Sequence, residues 1–169
     1  MTLIGLSGRK GAGKDTVFRF LQEHHPELRI ARVAFADALK EEVANVLGVP
    51  VWAIEADKPR FRLVLQWWGT EWRRKQCPTY WIDRAREKIE DLRSLVDVVV
   101  VTDVRFRNEA DLITELGGCV VRVANSRAEK DPDAHSSEVD MDDYPASAVI
   151  PNHGDLLDLY EHLRGFALS

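Results

Sequence analysis

The chain has 169 residues, of which 45% are hydrophobic and 30% are charged, the balance of an ordinary globular domain. Its formal net charge is −5 at pH 7, which argues against a general nucleic-acid coat, so no stable nucleic-acid partner is expected. No stretch approaches the ~20 apolar residues of a membrane span and no signal peptide is visible, so we expect a cytoplasmic protein that does not bind membranes.

Predicted strands and helices alternate along the chain. Apolar runs predict strands at about residues 2–6, 29–35, 95–102, 119–124 and 147–150. Helical periodicity predicts helices at about residues 14–24, 37–47, 60–75, 79–92, 108–116 and 155–164, with a loop at 48–59. Asp37 and Thr79 are predicted to be the N-caps of their helices.

The third predicted strand indicates the kind of sheet. Residues 96–101 form a dense β-branched run, which is typical of a strand buried on both faces of a parallel sheet. The order of elements then predicts a three-layer α/β fold, with helices on both faces of a mostly parallel five-stranded sheet. Residues 1–169 are expected to form a single domain whose ligands bind at the carboxyl ends of the strands.

A glycine-rich loop joins the first strand to the first helix. Gly8, four further residues and then Gly13-Lys14 have the spacing of the phosphate-binding loop of P-loop proteins. Glycines let backbone N–H groups turn towards a phosphate, and the next helix directs its positive dipole end there. We therefore expect ATP to bind here; the alternative is a glycine-rich turn with a stray lysine. The predicted ATP-binding residues of the loop are Gly8, Lys10, Gly11, Ala12, Gly13, Lys14, Asp15 and Thr16.

Two acids are placed to serve a metal ion. Asp15 stands where Ser or Thr usually follows the loop lysine, with Thr16 next, and a carboxylate is also a good ligand for a hard cation. Asp103 directly follows the third predicted strand, where P-loop proteins keep a second acid for Mg²⁺. We predict that Asp15, Thr16 and Asp103 organise Mg²⁺. The alternative for Asp103 is an N-cap of the helix that begins near Asn108.

Cations and amides near the strand ends suggest where phosphates bind. Arg105 or Arg107 is expected to contact phosphate, the alternative being that both are surface charges. On the predicted helix 60–75, Arg62 and Gln66 are four residues apart and share one face. Because arginine matches phosphate with a bidentate fork and glutamine offers a base edge both a donor and an acceptor, the pair is predicted to hold a monophosphate and its base.

The same helix carries tryptophans and further cations. Trp67 and Trp68 offer stacking surface, with core packing as the alternative for each. For Arg73, Arg74 and Lys75 the alternative is the solvated end of a helix, which the dipole favours. Residues 48–95 as a whole are interpreted as a helical acceptor-binding region.

The polar segment at residues 125–146 is predicted to be a lid. It contains Arg127 and is too polar to be buried alone, and phosphoryl transfer requires that water be excluded. We expect it to close over ATP, with an ordinary exposed loop as the alternative. Asn152 follows the last predicted strand at the same sheet edge and is expected to border the adenine ring.

Taken together, these residues resemble the bacteriophage deoxynucleoside monophosphate kinases over most of the chain. The similar segments are 6–16, with its aspartate before threonine; 65–71, with Arg62 upstream and Tyr80-Trp81 downstream; 103–105 with Glu109-Ala110; 135–138; and 149–152 with the final helix. The glycine-rich loop is shared with other kinases, whereas its combination with 65–70 and 103–105 is much more specific.

The resemblance implies phosphorylation of a deoxynucleoside monophosphate to the diphosphate, with ATP and Mg²⁺. It implies catalytic roles for Lys14, Arg62, Asp103 and Arg105, and a place for Arg127 and Asn152 beside ATP. The acceptor residues that follow are Asp37, Lys40, Arg62, Gln66, Trp67, Gly69, Thr70, Trp81 and Arg105. Small-molecule nucleotides are the expected partners, a homodimer is a further expectation, and a phage-encoded chain would act in the host cytoplasm.

Two other functions remain open from the sequence. The nearer is a different small-molecule kinase of the same fold, acting on a coenzyme precursor or a phosphorylated alcohol. The farther is a nucleotide-dependent switch or binding module that hydrolyses ATP slowly, which fits the arginine-rich acceptor region less well.

Overall fold

The computed structural model describes residues 1–125 and 140–164. In chain order its strands are β1 (Thr2–Ser7), β2 (Ile30–Val33), β3 (Val98–Val104), β4 (Cys119–Ala124) and β5 (Ala148–Pro151). Its helices are α1 (Lys14–His24), α2 (Phe35–Leu47), α3 (Val51–Ala56), α4 (Lys58–Gln66), a π-helix (Trp67–Arg74), α5 (Tyr80–Leu92), α6 (Arg107–Glu115) and α7 (Leu156–Arg164). Within this part of the chain no helix is long and apolar enough to cross a membrane.

The five strands form one parallel sheet in the order β2-β3-β1-β4-β5. Ile4 of β1 lies opposite Val100 of β3 on one side and Cys119 of β4 on the other. Parallel strands require crossover connections, and helices supply those from β1 to β2, from β2 to β3 and from β3 to β4. The predicted fold class is therefore confirmed, and the carboxyl ends of all five strands meet at one edge.

Strand β3 is buried on both faces, as its β-branched run predicts. Val99 and Val101 pack on one face of the sheet with the apolar sides of α5 and α6. Val98 and Val100 pack on the other face with α1 and α7, whose Phe20 and Leu159 are almost fully buried. Alternating side chains point to opposite faces of a strand, so a continuous valine run fills both layers.

Residues 48–59 are mostly helical, so the predicted loop is wrong. Helix α3 occupies residues 51–56, and α4 begins at Lys58, where the Asp57 side chain accepts from the Arg60 amide at 3.4 Å. The two prolines, Pro50 and Pro59, lie at helix starts, where proline's missing N–H costs no hydrogen bond. Prolines at these positions therefore belong to helix starts and do not indicate a loop.

Two predicted N-caps and one predicted strand end differ from the structure. Helix α2 begins at Phe35, so Asp37 lies in its first turn and is not its N-cap. Thr79 does precede α5, yet its hydroxyl donates to Asp83 and caps no backbone amide. Strand β3 starts at Val98 and runs to Val104, so Asp103 belongs to the strand and does not follow it.

The acceptor-binding region has a small core of its own. Val43, Ala44 and Ile54 are buried together, with Phe61 and Trp68 packed against them. This cluster joins α2, α3 and α4 into a helical layer beside the sheet edge. It holds α4 and the π-helix in a fixed position next to the ends of β1 and β3.

Candidate active site

The glycine-rich loop has the backbone shape that an anion requires. Gly8, Gly11 and Gly13 have φ angles of 135°, 77° and 102°, a region that other residues rarely adopt. A side chain at Gly8 would also come within 2.4 Å of the Val123 carbonyl oxygen of β4. The loop is therefore closely packed against the sheet, and its turns direct backbone groups to one concave face.

Lys14 is the first residue of α1, and its side chain folds back over the loop. Its Nζ donates to the carbonyl oxygens of Gly8 at 2.5 Å and Arg9 at 3.0 Å. No side chain caps the start of α1, so the helix dipole and its first N–H groups face the same concavity. Asp15, in the first turn, is exposed, and Thr16 is half-buried.

Asn152 supports the loop from the far end of the chain. Its Nδ2 donates to the Ala12 carbonyl oxygen at 2.7 Å, and a side chain at Gly13 would come within 2.5 Å of the same nitrogen. The amide side chain of Asn152 thus packs against the phosphate loop and holds Ala12 in position. The adenine contact predicted for Asn152 stays a prediction.

Asp103 connects the end of β3 to the start of α2. Its two carboxylate oxygens accept from the backbone N–H groups of Phe35 and Ala36, each at 2.9 Å. The alternative interpretation, an N-cap of the helix near Asn108, is therefore wrong, because Asp103 serves a different helix. Aspartate accepting at a helix N-terminus is favoured by the dipole, and each oxygen retains lone-pair capacity.

Glu109 holds the turn between β3 and α6 through hydrogen bonds from the backbone of that turn. It is 1% exposed, and one carboxylate oxygen accepts from the backbone N–H groups of Arg105 at 2.7 Å and Phe106 at 3.2 Å. The other oxygen forms an ion pair with Arg74. Burial raises the pKa of Glu109 to about 7, while Arg74 and the two backbone amides oppose that rise.

A cavity of about 610 Å³ lies between the phosphate loop, the strand ends and the acceptor-binding region. Ten of its lining residues are polar or charged: Lys10, Lys40, Lys58, Arg62, Gln66, Thr70, Arg74, Asp103, Arg105 and Glu109. The apolar part of the wall consists of Phe35, Ala36, Leu39, Ile54, Pro59, Leu65, Gly69, Trp81 and Phe106. Most of the acceptor residues predicted from the sequence thus come together at one cavity, although their roles stay predictions.

Trp67 and Asp37 do not line this cavity. Trp67 is 54% exposed and stacks on Trp72 with ring centroids 5.7 Å apart. Asp37 pairs with Arg32 at 2.7 Å and with Lys40 at 3.6 Å. A direct substrate contact by either residue has no support in this geometry. Arg107 is exposed and off the lining as well, so Arg105 is the arginine of its turn that faces the cavity.

Glu42 of α2 holds the π-helix in place. Its carboxylate accepts from the Trp68 indole at 2.8 Å, the Arg73 Nε at 2.6 Å and the Tyr80 hydroxyl at 2.7 Å. Burial tends to raise the pKa of Glu42, but the donors Trp68, Tyr80 and Arg73 together hold it below its ordinary value. Arg73 is therefore a packing and ion-pairing residue, and Lys75, whose side chain is 71% exposed, is the solvated one.

The described end of the predicted lid is fixed to the body. Met141 is buried, Asp142 pairs with Arg9 of the phosphate loop at 2.7 Å, and Asp140 accepts from the Arg107 amide at 2.7 Å. Residues 140–144 thus help to position the loop and α6. The rest of the predicted lid, with Arg127, lies outside the described residues.

The donor set fits a hard cation held mainly by a ligand's phosphates. Asp15, Thr16 and Asp103 offer carboxylate and hydroxyl oxygens, which Mg²⁺ prefers. In residues 1–125 and 140–164 there is no cluster of three or more His, Cys, Asp or Glu side chains that would form an all-protein cage. Mg²⁺ in phosphoryl-transfer sites uses one or two carboxylates together with substrate phosphates, so this sparse set is compatible with it.

Sequence reasoning missed two residues that the cavity uses. The sequence does not distinguish a site role for Arg74 from the solvated end of a helix, whereas in the structure its side chain is 14% exposed, lines the cavity and pairs with Glu109. Glu109 was noted only as part of a resembling motif. A signal was available in the sequence, because a glutamate inside the first turn of α6 is suited to accept the N–H groups that precede it.

Comparison with known proteins identifies a kinase. A family model described as phosphomevalonate kinase matches residues 6–118. A provisionally assigned deoxynucleotide monophosphate kinase of Acanthamoeba polyphaga mimivirus is 28% identical over 96% of this chain and 94% of its own length. A provisionally assigned kinase from Chloroflexus aurantiacus covers 96% of this chain and 93% of its own, at 13% identity and TM-score 0.49. Shikimate kinase from Aquifex aeolicus covers 99% of both chains, at 16% identity and TM-score 0.47.

The fold, the phosphate loop and the family model define a P-loop kinase, that is, a phosphotransferase. The family model covers more than half of the chain, so the chain belongs to the phosphomevalonate kinase family. The resemblance to bacteriophage enzymes is supported in its coarser part only, by a viral relative and the kinase fold. A bacteriophage family is not confirmed.

Proposed function

We propose that this kinase transfers the terminal phosphoryl group of ATP to a deoxynucleoside monophosphate and yields the diphosphate. The observation that carries the proposal is the cavity beside the phosphate loop, with its cations, aromatic walls and one glutamine. The viral relative, which is provisionally named a deoxynucleotide monophosphate kinase and aligns over 94% of its own length, supports it independently.

The charge of the cavity favours a phosphorylated acceptor. Six cationic residues line it, against two acids, although the whole chain carries a net charge of −5. Arg62 has no ion-pair partner within residues 1–125 and 140–164, so its guanidinium is available to an anion. A concave site lined by one sign of charge concentrates ligands of the opposite sign.

The aromatic walls favour a planar group next to that phosphate. Phe35, Trp81 and Phe106 line the cavity, and the Trp81 indole is held by a 3.0 Å hydrogen bond to the Gly69 carbonyl oxygen. Rings fixed in this way suit a nucleobase, since every base offers a flat face for stacking. Gln66 lines the same cavity and supplies both a donor and an acceptor to a base edge.

Catalysis would consist of positioning and charge neutralisation. The amides of the phosphate loop would hold the β-phosphate of ATP, and Lys14 would leave the Gly8 and Arg9 carbonyls to meet the β- and γ-phosphates. Arg62 and Arg105 would hold the acceptor in line with the transferred group. Asp15, Thr16 and Asp103 would hold Mg²⁺, which neutralises charge on the phosphates when bound.

A second acceptor class is favoured by the family match. Phosphomevalonate is a phosphorylated alcohol, and it would use the same cations without needing aromatic walls or Gln66. The two candidate acceptors therefore require different residues of the cavity, and in both cases the reaction is that of a kinase. A nucleotide-dependent switch is disfavoured, because it has no use for a cationic cavity beside the loop.

An acceptor panel decides between the candidates. The protein is incubated with ATP, Mg²⁺ and one acceptor at a time. The acceptors are the four common deoxynucleoside monophosphates, their ribose counterparts, phosphomevalonate and shikimate. In each reaction ADP and the phosphorylated product are measured. We expect turnover with at least one deoxynucleoside monophosphate and kcat/KM at least tenfold lower with the non-nucleotides. Turnover with phosphomevalonate alone would replace the proposed acceptor, and ATP hydrolysis without any acceptor product would indicate the switch.

Lys14→Ala is the matched negative variant for this panel. Its Nζ is hydrogen-bonded to the Gly8 and Arg9 carbonyl oxygens, and its side chain belongs to none of the buried hydrophobic clusters, so the fold should survive. The loss of a cation that meets developing charge should lower kcat by roughly 10² to 10³, or about 3 kcal/mol. Near-parental turnover in folded Lys14→Ala protein, as judged by circular dichroism, would exclude the loop from catalysis.

A further inference from the structure

Arg74 presents a prepositioned guanidinium at the cavity wall. The last residue of the π-helix, it lies against the Phe106 ring, with Cζ 3.9 Å from the ring centroid. One Nη donates to Glu109, and the other lies 3.5 Å from Asn108 Oδ1. Stacking and ion pairing thus fix the plane and the direction of the side chain before any ligand arrives.

The guanidinium still has donors to offer. Arginine has five N–H groups, and the two contacts above use at most two of them. Within the described residues no other acceptor takes the remaining N–H groups, and Arg74 is one of the residues that line the cavity. A fork that keeps several N–H groups at a cavity wall is suited to bind phosphate oxygens bidentately.

Glu109 couples this arginine to the strand-end turn. The same carboxylate that pairs with Arg74 accepts from the backbone amides of Arg105 and Phe106. It therefore sets the distance between Arg74 and Arg105, two cavity cations on different elements. Because Glu109 is 1% exposed, water cannot replace it in this role.

We propose that Arg74 binds the phosphate of the acceptor and that Glu109 is the positioning residue that holds Arg74 and the Arg105 turn in register. The inference rests on the proposed function only in requiring a phosphorylated acceptor. A deoxynucleoside monophosphate and phosphomevalonate both satisfy that requirement, so it survives an exchange of one for the other.

Arg73 offers a matched control for Arg74. It is the preceding residue of the π-helix, has a half-buried ion pair of its own with Glu42, and stacks on Trp72 and Tyr80 with Cζ 4.7 Å from each ring centroid. It is absent from the cavity lining. Arg73→Met and Arg74→Met therefore remove similar packing and one ion pair each, and differ in access to the acceptor.

The test measures KM and kcat for acceptor and for ATP in both variants. We expect Arg74→Met to lower kcat/KM for the acceptor about tenfold or more and to change the KM for ATP less than about twofold. Arg74→Lys should restore part of this loss, because it keeps the charge without the fork. Arg73→Met should change acceptor kcat/KM less than about threefold. Equal acceptor losses in the two methionine variants would show that Arg74 acts only through stability and would overturn the inference.

A double variant tests the positioning role of Glu109. Glu109→Gln alone should lower acceptor kcat/KM about tenfold, and it should add less than about threefold to Arg74→Met, because the residue it positions is already gone. Fully multiplicative losses would show that Glu109 acts independently of Arg74. The thermal unfolding midpoint of each variant shows whether a lower kcat/KM reflects a loss of folded protein.

The two proposals fail in distinguishable ways. If the parent phosphorylates none of the acceptors in the panel, the proposed function fails. The Arg74 inference is then tested by calorimetric titration of deoxyguanosine monophosphate and of phosphomevalonate, with the phosphate loop filled by a non-hydrolysable ATP analogue. Binding of either ligand that weakens about tenfold in Arg74→Met but not in Arg73→Met supports the inference, and binding that is unchanged, or absent for both ligands, overturns it.

Discussion

Asp103 of β3 accepts hydrogen bonds from two backbone amides of α2, so a substitution of Asp103 also alters the start of that helix. Its oxygens accept from Phe35 and Ala36 at the start of α2, so its carboxylate orients the second strand-to-helix connection as well as facing the cavity. Asparagine keeps one oxygen for those amides and removes the charge. It also sets an NH₂ donor against the second backbone N–H, so the stability of the variant is measured alongside its Mg²⁺ dependence.

We expect Asp103→Asn to require more Mg²⁺ for the same rate. Loss of a charged partner of a bound metal typically weakens binding on the order of tenfold or more, so the Mg²⁺ concentration at half-maximal rate should rise by that factor. Asp91→Asn, an exposed acid on α5, is the control for lost charge. If Asp103→Asn shows the parental Mg²⁺ dependence, Asp103 serves only as an anchor for α2.

Gln66 has a different experimental signature, because its predicted role is selectivity. Gln66→Leu removes the donor and acceptor while approximately keeping size, so it should flatten the preference among the four deoxynucleoside monophosphates. A mismatched base that leaves a buried polar group unpaired costs roughly 1–3 kcal/mol, and this discrimination is what should be lost. The measurement is kcat/KM for each acceptor.

Gln76→Leu makes the same chemical change at an exposed position near the end of the same helical segment, so it controls for added surface hydrophobicity. A uniform loss across all four acceptors in Gln66→Leu would mean that Gln66 braces its helix and does not contact the base. A preserved ratio with full activity would contradict any role at the site.

At the scale of elements, an exposed charge cluster joins the three helices of the acceptor-binding region. Glu55 of α3 pairs with Lys40 of α2 and, at 2.9 Å, with Lys58 of α4. Hydrogen bonds from Lys40 and Lys58 lower the pKa of Glu55 to about 2. Both lysines line the cavity, so Glu55 also orients two of its cations.

The lowered pKa gives a stability prediction with a definite sign. A carboxylate whose pKa is lower when folded contributes stability above its unfolded pKa of about 4.5, and loses it as pH falls towards about 2. Glu55 is partly exposed, so solvent screening keeps the contribution below about 1 kcal/mol. Urea unfolding of the parent and Glu55→Gln should therefore differ at pH 7 and converge near pH 2. A difference that grows on acidification would contradict the assignment.

The sequence predicts elements well where local pattern and tertiary burial agree. Helix α1 has the bounds predicted from its loop and apolar face, and the β3 valines lie in the sheet as expected. Prediction fails where tertiary contacts decide. Helix α3 has only six residues, too few for a clear period, and depends on the buried Ile54. The π-helix has no local signal, because its stability comes from partners such as Glu42, far away in sequence.

At the scale of the whole molecule, residues from the two ends of the chain build the phosphate loop together. Asn152 supports Ala12, and Asp142 pairs with Arg9, across more than 130 residues of sequence. Parallel sheet topology makes this possible, since β4 lies beside β1 and β5 lies beside β4. The ATP site should therefore depend on the C-terminal segment as strongly as on the glycine motif itself.

Asn152→Asp tests that dependence. The change replaces the donor that faces the Ala12 carbonyl with an oxygen, so two acceptors oppose each other, and it adds negative charge behind a site for phosphates. We expect a stability loss of about 1–3 kcal/mol and a KM for ATP raised about tenfold. Asn45→Asp, at an exposed position of α2, controls for the added charge. An unchanged KM for ATP would mean that the loop holds its shape without this brace.

The sequence predicts those residues of the site that belong to recognisable motifs or follow strand ends. The loop, Asp103, Arg62 and Gln66 follow from spacing and strand ends, and the last three converge on one cavity with Lys10 of the loop. Arg74 and Glu109 could not be paired in advance, because their ion pair joins elements 35 residues apart whose relative positions only the packed fold defines. The substrate contact of Trp67 stays a prediction, because a ring suited to stacking can also find its partner within the fold, and here it stacks on Trp72.

The π-helix lets one wall of the cavity tolerate a change in chain length. Its backbone hydrogen bonds span five residues, so Gly69 and Arg74 lie about one turn apart, and both line the cavity. If a single residue between them were removed, the four-residue hydrogen bonds of an ordinary α-helix would close the same turn, and the arginine would stay on the cavity side. We therefore expect related chains that are one residue shorter here to keep this cation at the wall, in an alignment that shows a gap beside it.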